Sequence, residues 1–112
     1  MILLLLLLVP HRPLDPPPLH LHGMTSQWGK IEQQGTHLFF HGNTSWHGWG
    51  FVQDDGRILV FWLWADGQRQ IGLYSLDEDH LVGVHGWESE VFFSDGSLDG
   101  CVQQVRLKLE RQ

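Results

Sequence analysis

The segment that most constrains this chain is an unbroken apolar run, Ile58 to Trp64, which reads Ile-Leu-Val-Phe-Trp-Leu-Trp. It is led by Arg57 and fenced by Asp55-Gly56 and Asp66-Gly67. β-Branched and aromatic side chains held between turn-forming dipeptides predict a β-strand. Alternate side chains of a strand leave by opposite faces, so Ile58, Val60, Trp62 and Trp64 share one face and Leu59, Phe61 and Leu63 the other. Neither set is polar. Both faces must therefore be covered, and the strand belongs in the middle of an architecture with material on either side.

The flanking sequence supplies more strands of the same kind. From Thr36 onward, strand-like runs alternate with Gly, Asp and Asn punctuation. They cover residues 36–41, 46–53, 57–65, 68–76 and 81–87, followed less clearly by 91–93 and 101–110, with 30–33 adding one more through Ile31. Near the C-terminus Val105, Leu107 and Leu109 alternate with Arg106, Lys108 and Glu110, as a strand with one wet face should. The prediction is an all-β fold, an antiparallel meander of about six to eight strands forming a small, closed or partly open barrel. At 112 residues there is room for one core, assigned to a single domain over 24–112.

Turn chemistry suggests a register. If Asp55-Gly56 and Asp66-Gly67 are two-residue type I′ loops, Asp54 pairs with Arg57 and Ala65 with Gln68. Trp49 then faces Trp62 and Phe51 faces Val60 on an apolar side. On the other side Phe61 lies between Gly50 and Gly72, Gly48 faces Leu63 and Tyr74 faces Leu59. Pairing Leu76 with Leu81 sets Gly83 beside Tyr74 and His85 beside Gly72. Glycine weakens a strand, so its repeated placement beside bulky residues predicts a bend or the close approach of another group. This meander of large side chains interleaved with glycine is similar to the calycin barrels, which include lipocalins and avidins. The resemblance implies a fold. It carries over no binding residue, because no lipocalin or avidin signature occurs.

Six tryptophans stand out. The register assigns Trp49, Trp62 and Trp64 to the apolar side, as core. On the glycine-rich side, Trp46, Phe61, Tyr74, His85 and Trp87 are expected to line a ligand site, with Gln70 adding a polar tip, because glycines leave space between apolar bodies with polar ends. The leading functional reading is a non-catalytic domain binding a small apolar or aromatic ligand there. The competing reading is an interaction module that self-associates as a homo-oligomer through its second apolar face.

Other classes find little support. The formal charge of -6, with seven Lys and Arg, disfavours nucleic acid and anionic membrane surfaces as partners. Cys101 is the only cysteine, so no intramolecular disulfide or paired-cysteine metal site exists, and it reads as a small buried hydrophobe. His37 and His41 sit four apart on one predicted strand, about 13 Å at ~3.3 Å per residue, too far to share a metal. Asp77-Glu78-Asp79 reads as an acidic turn, and Asn43-Thr44-Ser45 as a turn despite matching a glycosylation sequon. No nucleophile is paired with a base, so neither catalysis nor a cofactor is expected.

The first residues look foreign to the domain. Ile2 to Val9 is apolar but far short of the ~20 residues that span a bilayer, and its flanks fit a signal peptide poorly. Between Ile2 and His22 every residue except Ile2, Val9 and Asp15 is Leu, Pro, His or Arg, whose codons share a first base. Residues 1–23 are accordingly expected to be a disordered leader, translated from a start too far upstream, with the natural chain beginning at Met24. A cytoplasmic location is the matching expectation.

Overall fold

The computed structural model describes residues 20–111. Among them are eleven strands: β1 (Met24–Ser26), β2 (Gly29–Gln34), β3 (His37–Phe40), β4 (Trp46–Val52), β5 (Ile58–Trp64), β6 (Arg69–Asp77), β7 (His80–Trp87), β8 (Val91–Ser94), β9 (Ser97–Gly100), β10 (Gln103–Lys108) and β11 (Glu110–Arg111). A 3-10 turn, Glu88–Glu90, joins β7 to β8. Nine strands form one antiparallel sheet in the order β10-β7-β6-β5-β4-β3-β2-β1-β11, and β8-β9 stand apart as a hairpin. The all-β antiparallel barrel is thus as expected. β1 and β9, too short and polar to stand out in sequence, add to the anticipated strands.

The sheet nearly closes on itself through the last strand. β10 pairs with β7 along its whole length. After Leu109, whose N–H reaches Asp79 O at 2.7 Å, the continuation β11 pairs with β1 through Thr25↔Glu110 and Met24↔Arg111. The seam between β10 and β1 is therefore zipped at one end only.

The register of β5 departs from the sequence expectation by one residue on both sides. Gln53 N–H bonds Arg57 O at 2.7 Å and Trp64 N–H bonds Gln68 O at 2.9 Å, so each loop holds three residues. Gly56 and Gly67 end these loops at φ +88 and +91, the bulge form in which glycine takes the left-handed position after a type I turn. Asp55 and Asp66 lock the loops by accepting from the N–H two residues on, at 3.0 Å each. The two-residue loop does occur at an Asp-Gly, but at Asp95-Gly96, between Ser94 and its partner Ser97.

A one-residue slip turns every side chain of a strand to the other face. Trp62 lies opposite Gly48 and Gln70, and Val60, not Phe61, lies between Gly50 and Gly72. The pairings of β6 with β7 match the expectation, with Gly83 opposite Tyr74 and His85 opposite Gly72.

The interior is one cluster drawn from all around the barrel. Ile31, Leu38, Ile58, Val60 and Leu81 are wholly buried, with Phe40, Tyr74, Leu107 and Leu109 nearly so. Leu21 belongs to it at 1% exposure, and its N–H donates to Gln33 Oε1 at 2.6 Å. Leu21, from the segment before Met24, thus packs with the core; residues 1–19 of the expected leader lie outside the described residues. No helix among the described residues is long and apolar enough to cross a membrane.

The outer face of β4–β7 is half covered. A second cluster gathers Leu59, Leu73 and Leu98, with Phe51, Phe61, Ile71, Val84 and Val91 against it, where the β8-β9 hairpin folds over the sheet. Cys101, just past β9, is exposed rather than buried; its place in a surface turn, with its N–H on Glu90 O, keeps the side chain out of either cluster.

Candidate functional site

Where β10 leaves β1, the barrel interior is lined by indoles. Trp28 comes from the β1-β2 turn, Trp46 from the start of β4, Trp62 and Trp64 from the end of β5, and Trp87 from the end of β7; together they surround a cavity of about 380 Å³. Its polar lining consists of Gln70, His85 and Gln103. The volume is in the range of small-molecule sites.

Glycine makes the arrangement possible. A side chain at Gly48 would collide with the Trp62 ring, and one at Gly72 with the Tyr74 hydroxyl. Trp62 therefore lies flat over Gly48, and Tyr74 leans along its own strand over Gly72. That lean carries the Tyr74 hydroxyl to His85 Nδ1 at 2.9 Å, while Trp62 Nε1–H donates to the same oxygen at 2.9 Å. The close approach anticipated from sequence is thus made by aromatic rings.

Burial, opposed by hydrogen bonds, favours the neutral forms of Tyr74 and His85. Tyr74 is buried, which raises its pKa and keeps the phenol intact, against a smaller lowering by the bond from Trp62. The hydroxyl that accepts from Trp62 also carries one proton, which it donates to His85 Nδ1 in the tautomer whose ring proton is on Nε2. Burial lowers the His85 pKa, opposed by a side-chain hydrogen bond with Gln103. Trp64 Nε1–H is taken up by Gln70 Oε1 at 3.2 Å. The cavity therefore presents mostly indole surface, with neutral amide and imidazole groups at its edges.

Neighbouring rings are inclined to one another. Trp28 and Trp46 meet Trp62 at interplanar angles of 77° and 80°, with centroids 5.0 and 5.4 Å away. Trp64 lies at 42° to Trp46 and 52° to Trp87. Edge-to-face packing of this kind is the favoured geometry for aromatic pairs, and rigid planar groups arranged so leave space between them.

Of the residues singled out by sequence, Trp46, His85 and Trp87 line this cavity, while Tyr74 is buried behind the lining, hydrogen-bonded to Trp62 and His85. Phe61 does not join them: it is on the outer face, paired with Trp49 and Ile71, its ring 5.9 Å from that of Trp49. The cause is the three-residue loops on either side of β5. The same slip brings in Trp62 and Trp64, which sequence reasoning had set on the opposite face. Trp28 and Gln103 lay outside any predicted register, and no local signal marks them.

The polar clusters noted in the sequence have structural roles. Asp77 and Asp79 pair with Arg106 and Lys108 across the β7-β10 end, and the Lys108 hydrogen bond holds the Asp79 carboxyl below its usual range. Asn43 Oδ1 accepts from Ser45 N–H at 2.7 Å, forming the turn expected there. Among the described residues no group of three or more His, Cys, Asp or Glu is placed to hold a metal ion. Compared with known protein families, with curated proteins and with solved structures, the chain finds no match.

Proposed function

We propose that this protein is a non-catalytic binding domain whose barrel mouth takes a small ligand of apolar or aromatic surface. The observation carrying the reading is the convergence of five of the six tryptophans on one cavity. Indole walls supply apolar surface at small entropic cost, and Gln70, His85 and Gln103 supply a few orienting polar groups.

The test is titration of the purified protein with a library of small apolar and aromatic compounds, followed by intrinsic fluorescence. Saturable changes are expected. Replacement Trp87→Ala should weaken the best binder by more than about 1 kcal/mol, given ~25 cal/mol for each Å² of apolar ligand surface left uncovered, with the fold retained. A library that produces no saturable response would remove this reading.

A second reading draws on the opposite side of the sheet. Phe39, Trp49 and Phe61 are successive cross-strand neighbours on the outer face, and Phe39, Trp49 and Leu63 are each about two-fifths exposed. Contiguous apolar surface of this kind favours self-association. Sedimentation across a wide concentration range tests it, and a monomer throughout would dismiss it.

A further inference from the structure

The cavity's shape and electrostatics narrow the ligand's chemistry beyond an apolar surface. The inclinations of 77°, 80°, 42° and 52° between neighbouring indoles do not make a parallel-walled slot for a flat ring. They give walls facing several directions, which suit a rounded guest.

The walls are also electron-rich, and two of the five indole N–H donors are engaged within the protein. The face of an aromatic ring carries the negative part of its quadrupole, strongest for indole. The N–H groups of Trp62 and Trp64, which could otherwise serve an anion, are held by Tyr74 and Gln70. No Lys or Arg lines the cavity. Arg69, next to Gln70 on β6, is engaged with Glu88 through Nε and Nη2 at 3.0 and 2.7 Å. His85 is held toward its neutral form by burial, and the whole chain carries a formal charge of -6, so its field draws in cations.

No carboxylate lines the cavity either. A primary ammonium entering it would surrender strong hydration to indole faces and a few neutral groups. An ammonium bearing only methyl groups has no N–H to satisfy and fits apolar walls, while its charge still meets the ring faces.

We infer that the tryptophan-lined mouth is an aromatic cage for a quaternary ammonium group, trimethylammonium being the recognised unit. The inference rests on the proposed binding function and specifies the ligand for that same site.

The experiment compares choline with its neutral carbon isostere, in which a tert-butyl group replaces trimethylammonium, by calorimetry on the wild-type protein. The two share shape and apolar surface, so their difference isolates the charge. Choline is expected to bind at least about tenfold more tightly, the scale of a desolvated cation–π contact. Equal or tighter binding of the isostere overturns the cation inference while the apolar pocket stands. If neither binds but the apolar library does, the cage is again overturned and the pocket survives; if the library also fails, the binding function itself falls.

Two variants guard against a trivial loss of fold. Trp46→Phe keeps a ring face and should retain most choline affinity, whereas Trp46→Leu keeps apolar bulk without a π-face and should lose about tenfold for choline but little for the isostere. Equal losses for both ligands in Trp46→Leu would contradict the cage. Trimethyllysine and phosphocholine, run beside choline, should compete for the same site, and their order of affinity separates a free ammonium compound, a modified side chain and a lipid headgroup as its source.

Discussion

The two ends of the barrel interior are built from different side chains and behave as different materials. At the end zipped by β10 and β11, aliphatic residues meet: Ile58, Leu81, Leu107 and Leu109, with Leu38 and Leu21 nearby, all buried. At the other end tryptophans meet around a cavity. Branched aliphatic groups have no polar atoms and can interdigitate to crystal-like density. Indoles are rigid plates with an N–H to satisfy, so they pack edge to face, reach for Tyr74 and Gln70, and leave room. The same barrel thus holds a core at one end and a receptacle at the other, and the division follows from side-chain shape and from where the seam closes.

The largest expected effect lies at the aliphatic end. Ile58→Ala should cost ~2–5 kcal/mol in chemical denaturation, the range for truncating a fully buried aliphatic residue, and Leu21→Ala should fall in the same range. A loss under ~0.5 kcal/mol for Leu21→Ala, typical of surface changes, would show that residues before Met24 contribute nothing to the core.

Next comes the join between the two ends. Tyr74→Phe removes the hydroxyl that serves both Trp62 Nε1 and His85 Nδ1, leaving polar groups unpaired in a buried place. The expected loss is ~1–3 kcal/mol. Gly48→Ala, which sets a methyl against the Trp62 ring, should cost ~1–3 kcal/mol by overpacking. A neutral Gly48→Ala would mean that Trp62 is not held over Gly48 and that the register is wrong.

A good part of this division was legible in the sequence, and the part that was not has a definite cause. The two-sided strand at Ile58–Trp64, the succession of hairpins, and the role of glycine beside large rings all follow from local pattern. So do the pairings of Tyr74 and His85, which follow once Leu76 is paired with Leu81 across the acidic turn. What escaped was loop length. Asp-Gly is compatible with a two-residue loop, as at Asp95-Gly96, and with a three-residue loop ending in a bulge, as at Gly56 and Gly67. That single ambiguity moved Phe61 out of the candidate site and Trp62 and Trp64 into it. Trp28 escaped for another reason: it reaches the cavity from a turn across the open seam, a placement set by tertiary packing alone.

A smaller effect concerns pH. The His85 pKa is lowered by burial from an ordinary value of 6.5, so below that pH the unfolded chain takes up a proton before the folded one does. Stability then falls as pH drops from 6.5 toward the folded value, and levels off beneath it. Comparing melting temperatures of the wild type and His85→Gln between neutral and mildly acid pH isolates this contribution from that of the rest of the chain. A wild type and variant with identical pH profiles would show that His85 is not held neutral by the fold.

The contrast between the two ends is tested most directly by one paired titration, with the strongest binder from the ligand library, of Ile58→Val and Trp87→Ala, each checked for a cooperative melt. The account predicts a crossed result. Ile58→Val should lose ~0.5–1.5 kcal/mol of stability and keep wild-type affinity, whereas Trp87→Ala, at the half-buried rim, should keep a folded barrel and lose more than about 1 kcal/mol of affinity. If Trp87→Ala binds as the wild type does, or if Ile58→Val weakens binding as much as Trp87→Ala, the tryptophan end is not a separate receptacle and the account fails.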